Sequence, residues 1–301
     1  MKKSNWTVKS RSKSFIKKSF GVLGVDLKLS YRIIGKYSIY AALAGSGSLE
    51  LVKRLRRIVP DISKQQESDK SSFDSYLELK RRGLHAFQCF LLLKSLEGFR
   101  KEKIRFVDIG DSAGTHICYL KDLIAGRFEI DATGVNLDPR AIEKIKSRGI
   151  KAILCRAEDL DLNGSEVDLF SSFEMLEHLH NPAIFLHRLA KKTKKSKLVI
   201  TVPYLNKSRV GLHNIRNKTD NDISAENEHI FELSPKDWEL LMLHSGWKVV
   251  FSKIYYQYPR HLPVLSRVIR SFWRMADFEG FWGAILEKDA SFSERYKDWE
   301  K

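Results

Sequence analysis

The stretch FVDIGDSAGTH, residues 106–116, decides how the rest of the chain is interpreted. Apolar residues surround Asp108, and Gly110 and Gly114 then frame small and polar residues. This pattern is typical of a strand that turns tightly into a helix, because glycine adopts backbone angles that other residues avoid. Taken alone, the stretch fits a nucleotide-binding turn and an ordinary β–α connection equally well, so the flanking sequence has to distinguish them.

Strand and helix patterns alternate around this stretch. The predicted strands are residues 104–109, 128–136, 150–155, 167–173 and 196–203, and the predicted helices are residues 113–124, 139–148 and 182–192. Alternation with short connections predicts an α/β fold with a doubly wound parallel sheet. Ligands bind such sheets at the carboxyl ends of the strands, so the opening stretch lies where a ligand is expected.

Before this region, the chain is basic and partly helical. Residues 15–55 predict short amphipathic helices broken at residues 45–48, and residues 60–72 predict a polar linker. Residues 73–99 predict one helix, because their apolar residues recur with a helical period. We therefore expect a helical N-terminal region in front of the sheet.

After the alternating region, residues 204–230 form a long polar insertion, which predicts a lid or a substrate loop. Residues 233–250 predict a helix followed by a strand. Residues 255–285 are rich in aromatic residues and arginine, which suit sugar rings, lipid headgroups and phosphate, or packing on the sheet. We divide the chain into a basic N-terminal region over 1–72, a central domain over 73–260 and a C-terminal helical cap over 261–301.

The positive charge is concentrated at one end of the chain. Of the net charge of +16 over 301 residues, residues 1–60 carry +12, with fourteen lysines and arginines against two acids. Such a block predicts contact with an anionic membrane, a lipid-linked phosphate or nucleic acid, and it also fits a solubilising tail.

The sequence favours a cytoplasmic protein, with peripheral contact at the inner membrane face as a variant. No apolar run approaches the roughly 20 residues that span a bilayer, and the N-terminus lacks the features of a signal peptide. Cys89, Cys118 and Cys155 are widely spaced, which predicts core residues in a reducing compartment.

With these elements placed, residues 104–203 resemble a class I S-adenosylmethionine-dependent methyltransferase of the group that includes small-molecule and glycan O-methyltransferases. The family pattern is an acid followed by three glycines at alternate positions. Here it reads Asp108, Gly110, Ser112 and Gly114, with serine at the middle position. The resemblance implies a mostly parallel seven-stranded sheet and a turn that binds the methionine end of S-adenosylmethionine. The helix N-terminus that follows suits the methionine carboxylate.

The resemblance also implies residues that bind the rest of the cofactor. Asn136 stands where the family has an acid that grips the ribose, and Asp138 follows two residues later. In CRAEDLDL, 155–162, Ala157 would offer its backbone N–H to adenine, and Glu158 or Asp159 would accept from the exocyclic amine. Arg156 replaces the usual acid there.

VDLFSSFEMLEHLHNP, 167–182, resembles the fourth strand of the family and the loop where the acceptor meets the methyl group. Glu174, Glu177 and His178 form an ExxEH segment. His178 is a candidate general base, with Glu177 beside it. Alternatively Glu174, Glu177 and His178, joined by His229, hold a divalent metal such as magnesium, or the side chains serve local packing.

These inferences together predict a methyltransferase that transfers the methyl group of S-adenosylmethionine to an oxygen of a surface glycan or a lipid-linked sugar. An RNA methyltransferase is an alternative, although the chain shows no recognisable RNA-binding module. A non-catalytic binding or scaffold protein on the same fold is a second alternative, because Ser112, Asn136 and Arg156 depart from the family pattern.

Overall fold

The computed structural model describes residues 27–62, 75–162, 164–210, 228–276 and 278–298. Residues 1–26 of the basic block, residues 63–72 of the polar linker and residues 211–227 of the insertion after the fifth predicted strand lie outside these ranges.

A seven-stranded sheet forms the centre of the fold, in the order β3-β2-β1-β4-β5-β9-β8. Its strands are β1 Lys103–Ile109, β2 Glu129–Asn136, β3 Lys151–Leu154, β4 Leu169–Phe173, β5 Lys197–Pro203, β8 Trp247–Tyr256 and β9 Gly280–Lys288. Strands β1 to β5 run parallel, and β9 is antiparallel to both β5 and β8. A short pair, β6 Arg209–Val210 and β7 Phe231–Glu232, lies outside the sheet. The predicted fold class is confirmed.

Helices cover both faces of the sheet. They are α1 Leu27–Gly45, α2 Leu49–Ile58, α3 Ser75–Ser95, α4 Thr115–Leu123, α5 Pro139–Ser147, α6 Pro182–Lys191, α7 Pro235–His244 and α8 Pro263–Ala276. One apolar core lies between the sheet and helices α3, α4 and α5, and the second lies under α6 and α7. Successive strand residues face opposite sides, so Phe106 belongs to the first core and Val107 to the second. Within the described ranges, every helix is too short or too polar to cross a lipid bilayer.

The C-terminal part of the chain corrects one prediction. Residues 261–301 were expected to form a helical cap, but Gly280–Lys288 is a strand inserted between β5 and β8. At Gly283 a Cβ would lie 2.4 Å from Leu91 and 2.9 Å from Phe87 of α3. Glycine is therefore required where this helix crosses the strand, and the same glycine makes the strand hard to identify from sequence.

The N-terminal helices pack on α3 through a buried arginine. The Arg82 guanidinium is 1% exposed, and it donates to the carbonyls of Val59 and Pro60, each at 3.0 Å, just past the end of α2. It also donates to the Glu78 carboxylate at 2.9 Å. Because the last carbonyls of a helix have no partner within it, Arg82 caps α2 and fixes that helix to α3.

Substituting Arg82 tests this cap. We expect Arg82→Met to lower the free energy of unfolding by about 3 kcal/mol, since the buried carbonyls lose charged donors. Arg56→Met is the matched control, because Arg56 pairs with the same Glu78 at 2.9 Å but is 63% exposed. We expect the control to cost below about 1 kcal/mol. Urea unfolding of both variants measures the difference, and equal midpoints would contradict the role of Arg82.

Candidate active site at the carboxyl edge of the sheet

Two glycines with left-handed backbone angles shape the turn between β1 and α4. Gly110 has φ +87° and Gly114 has φ +71°, so both occupy the left-handed region that favours glycine. Asp111 accepts from the backbone N–H groups of Ala113 and Gly114, at 3.1 and 2.7 Å. Ser112, the departure from the family pattern, is half-buried within this turn. Asp111 was missed by the sequence interpretation, although an aspartate before small residues is typical of such a turn.

Asp108 lies beneath the turn and is 2% exposed. Its Oδ1 accepts from the Ser171 hydroxyl of β4 at 2.6 Å, while its buried Oδ2 has no hydrogen-bond partner among the described residues. Burial and the nearby Asp111 carboxylate raise the pKa of Asp108 well above its usual range. A cationic ligand group at Oδ2 would offset this cost, so the carboxylate fits the ammonium group of S-adenosylmethionine.

Asn136 and Asp138 lie beside the same turn, but each is engaged locally. The Asn136 amide donates to the Asp111 carbonyl at 3.0 Å, and its oxygen accepts from the Asp138 N–H at 2.8 Å. The Asp138 carboxylate accepts from the Arg140 N–H at 3.0 Å and caps α5. Their arrangement therefore shapes the turn, and their predicted contact with the ribose stays a prediction.

The predicted adenine-binding residues follow β3 at the same edge. Ala157 and Glu158 belong to a single 3-10 turn, Ala157–Asp159, and both are half-buried. The Arg156 guanidinium lies 3.6 Å from the Glu158 carboxylate, so the arginine that replaces the usual acid pairs with its neighbour.

The structure brings His229 to the ExxEH segment. His178 lies in the turn Leu176–His178 after β4, and its Nδ1 lies 2.8 Å from the Glu228 carbonyl. The Ile230 N–H donates to the Glu177 carbonyl at 2.7 Å, and the rings of His178 and His229 are 4.8 Å apart. The two segments are thus joined by one backbone hydrogen bond and by the contact of the His178 ring with the Glu228 carbonyl.

Three of the four proposed metal ligands converge. One ligand atom each of Glu177, His178 and His229 lies within 4.8 Å of the others. Neither carboxylate oxygen of Glu177, which is fully buried, has a hydrogen-bond partner among the described residues. Burial, with the Glu174 carboxylate as a further cause, raises the pKa of Glu177 well above its usual range. An uncompensated buried carboxylate beside two imidazoles suits a cation.

Glu174 lies outside this group, which corrects the four-residue ligand set. It has φ +50°, and one of its carboxyl oxygens, Oε1, is buried without a hydrogen-bond partner among the described residues. Burial raises the pKa of Glu174 to about 8, while a hydrogen bond from Thr201 and the charge of Lys80 oppose the shift. Glu174 directly follows β4 and precedes the turn that carries His178. Its left-handed backbone angle is strained for a residue with a side chain, and such strain is often found at functional sites.

A buried polar chain from α3 reaches the same edge and was not predicted from the sequence. Gln88 donates to the Thr201 hydroxyl at 2.9 Å, and its amide oxygen lies 2.8 Å from Nε2 of His116. Nδ1 of His116 lies 3.9 Å from Asp108. Burial lowers the pKa of His116 to about 3, so its ring is neutral. The only available signal was a histidine and a glutamine within apolar helical stretches.

Comparisons with known proteins agree with this geometry. A family model described as a methyltransferase domain matches residues 80–251. The chain is similar to geranyl diphosphate C-methyltransferase from Streptomyces coelicolor A3(2), which was solved with Mg²⁺, geranyl-S-thiolodiphosphate and S-adenosylhomocysteine. The two are 12% identical with a TM-score of 0.51, and the match covers 78% of this chain and 91% of that one. A putative sarcosine dimethylglycine methyltransferase from Galdieria sulphuraria shows 14% identity, TM-score 0.50, and coverage of 70% and 87%. No curated protein matches the chain.

The glycine turn can be tested by adding a side chain. We expect Gly110→Val to abolish binding of S-adenosylhomocysteine, because a Cβ there would lie 3.0 Å from Met175 and the added methyl groups would fill the turn. Gly126→Val is the matched control, since Gly126 has a similar φ of +81° with nothing within 4 Å of its Cβ. Isothermal titration measures both affinities. Normal affinity in folded Gly110→Val would remove the turn from the cofactor site.

Proposed function

The chain belongs to the methyltransferase domain family and is an S-adenosylmethionine-dependent methyltransferase, and from that premise we propose that it methylates a hydroxyl of a surface glycan or a lipid-linked saccharide. The observation that carries this proposal is an aromatic cluster at the carboxyl edge. The half-buried rings of Tyr204 and Tyr256 lie 5.6 Å apart, and the Arg260 guanidinium lies 4.8 Å from the Tyr256 ring. The Tyr258 ring is buried and packs 5.3 Å from Tyr256. Aromatic faces suit sugar rings, and an arginine beside them suits phosphate.

The proposed cofactor site uses the residues around the β1 turn. S-adenosylmethionine supplies an electrophilic methyl group when bound. Gly110 and Gly114 would lie against its methionine end, and the Asp108 carboxylate would pair with the ammonium group. The N-terminus of α4 would face its carboxylate. Asn136, Asp138, Ala157 and Glu158 are proposed to contact the ribose and adenine.

His178 is the proposed general base. Its Nδ1 lies 2.8 Å from the Glu228 carbonyl, an arrangement in which Nδ1–H donates and Nε2 carries the basic lone pair. Nε2 would take the proton of the acceptor hydroxyl as its oxygen attacks the methyl carbon. Positioning of the two reactants contributes most of the rate in such a transfer, and proton removal adds to it. The Glu177 carboxylate, buried beside the ring, favours the imidazolium that results.

A metal centre is a second candidate for the same side chains. His229 Nδ1 lies 3.1 Å from the Glu232 carboxylate, as His178 Nδ1 lies against a carbonyl. Metal-binding histidines are typically oriented in this way, with the other ring nitrogen facing the ion. Two imidazoles and one carboxylate suit zinc or iron better than magnesium, which prefers oxygen ligands. We therefore propose zinc or iron, in place of magnesium, as the metal of this second candidate.

The proposal also includes where the protein acts in the cell. The basic block before residue 60 is proposed to contact an anionic membrane from the cytoplasmic side, where a lipid-linked acceptor would be presented.

Methyl transfer tests the proposed acceptor and base together. With labelled S-adenosylmethionine, we expect label in the lipid-linked saccharide or glycan fraction, and His178→Ala should lower turnover about 100-fold with unchanged affinity for S-adenosylhomocysteine. His180→Ala is the matched control, because His180 is exposed and two residues away. Label in RNA alone would contradict the acceptor, and normal turnover of His178→Ala would contradict the base.

Metal binding has a readout independent of turnover. If the metal candidate is correct, chelator-treated protein should bind one equivalent of Co²⁺ or Zn²⁺, seen in the Co²⁺ absorption bands. His229→Ala should weaken binding at least about tenfold. His244→Ala is the control, since His244 lies against Tyr296 at a 5.6 Å ring distance, outside the group. Absence of Co²⁺ bands in the wild type would reject the metal candidate and leave His178 as a base.

A further inference from the structure

We propose that helices α1 and α8 form a preformed docking face for an anionic lipid bilayer. This surface, the α1–α8 face, consists of the apolar and aromatic side chains that the two helices direct outward: Leu29, Ile33, Tyr37, Tyr40, Val264, Leu265 and Val268. It is built from described residues of both helices, and α1 itself belongs in sequence to the basic block of residues 1–60. The inference extends the proposed membrane contact, and it does not depend on methyl transfer.

Helix α1 is apolar on both of its sides. Ile39 and Leu43 are buried against the core, at 0% and 1% exposure. On the opposite side Tyr37 is 71% exposed and Ile33 is 47% exposed, and Tyr40 follows in the same stripe. An exposed apolar stripe on a helix of a folded protein is normally covered by another surface. Another surface is therefore needed to cover the outer stripe.

Helix α8 is likewise buried on one side and exposes apolar residues on the other. Its inner residue Trp273 is fully buried, and the indole N–H donates to the Ser38 hydroxyl of α1 at 3.0 Å. On the outside, Val264 is 80% exposed and Val268 is 68% exposed. Contact between the Tyr31 and Phe272 rings at 5.2 Å also joins the helices. Both helices therefore join through their inner residues and present apolar residues outward, which is unusual for a surface that contacts only water.

The charge on this face favours an anionic lipid surface over a second copy of the chain or nucleic acid. Helices α1 and α8 contain no aspartate or glutamate, while Arg32, Lys36 and Arg267 stand among the apolar residues. The 26 residues that precede α1 add seven lysines and arginines against one aspartate. Apolar side chains bordered by cations and tyrosines are typical of helices that lie in the headgroup region of anionic membranes. A second copy would place cation against cation, and nucleic acid would leave the valines without a partner.

The face is linked to the candidate active site by a short route. The Ser38 hydroxyl donates to the Gln257 carbonyl at 2.7 Å, and the Gln257 amide donates to the Phe278 carbonyl at 2.7 Å. The Phe278 ring stacks on His229 at 5.4 Å. Helix α8 also connects the end of β8 to the start of β9, at the carboxyl edge of β5. Docking through this face would bring the active site to the lipid surface, which suits the proposed lipid-linked acceptor.

Vesicle binding by the full chain tests the face. The probes are vesicles of pure phosphatidylcholine and vesicles with one-quarter phosphatidylglycerol, separated by flotation. We expect the wild type to bind the anionic vesicles, and Val268→Asp to weaken that binding at least about tenfold, because it removes apolar contact and adds a repelled charge. Leu240→Asp is the matched control, since Leu240 is 55% exposed on α7, outside the face. Affinity for S-adenosylhomocysteine reports that each variant is folded.

The outcomes separate the face from its rivals. Loss of binding on deleting residues 1–20, with Val268→Asp unaffected, would assign the contact to residues 1–20 alone and overturn the face. Wild-type protein that ignores anionic vesicles but dimerises through Val268, or binds RNA through it, would also overturn it. Vesicle binding that depends on Val268, in a protein that does not bind S-adenosylhomocysteine, would support the face and contradict the proposed function instead.

Discussion

The turn that carries the chain from β1 into α4 constrains the rest of the carboxyl edge. Its two glycines have left-handed backbone angles, and the Asp111 carboxylate closes it by accepting two backbone N–H groups. Asn136 at the end of β2 then donates to the Asp111 carbonyl, so the turn is fixed to the neighbouring strand. A ligand meets backbone at this point, because side chains would occupy the space that it needs. The departure at Ser112 is compatible with this, since the left-handed angles fall on its neighbours Gly110 and Gly114.

The same edge concentrates buried carboxyl groups. Asp108, Asp111 and Glu177 are each at most 5% exposed, and burial raises the pKa of Asp111 to about 6. Carboxylates that lose hydration without gaining cations oppose folding when they are ionised. Their retention at one edge is the pattern expected of a site whose ligands supply the missing charge. At Asp108 that charge is the proposed ammonium group, and at Glu177 it is the imidazolium or the proposed metal.

Sequence patterns were sufficient to predict a helix or strand where one local signal determined it. Short apolar runs identified β1 to β5, and the break at residues 45–48 separated α1 from α2. The fold of β9 was missed because Gly280 and Gly283 look like breaks in a strand, whereas they are required by contacts with β8 and α3. The pairing of Gln88, His116 and Asp108 was also missed. It joins three elements distant in sequence, and no local pattern reports such a contact. The approach of His229 to His178 was predicted only through resemblance, since a long insertion separates them.

The order of elements near the C-terminus explains how the proposed active site and the proposed membrane contact can lie at one edge of the sheet. Because β9 lies between β5 and β8, the chain must leave the sheet at the carboxyl edge after Tyr256 and return there at Gly280. Helix α8 lies in this connection, where the partly exposed Arg270 and Arg274 pair with the buried Glu279, at 2.8 and 2.6 Å. Val264, Leu265 and Val268 are also exposed on α8. Helix α8 therefore lies next to the edge that carries the proposed acceptor site, because both of its ends connect to strands at that edge. A cap appended after the last strand would be free to lie elsewhere.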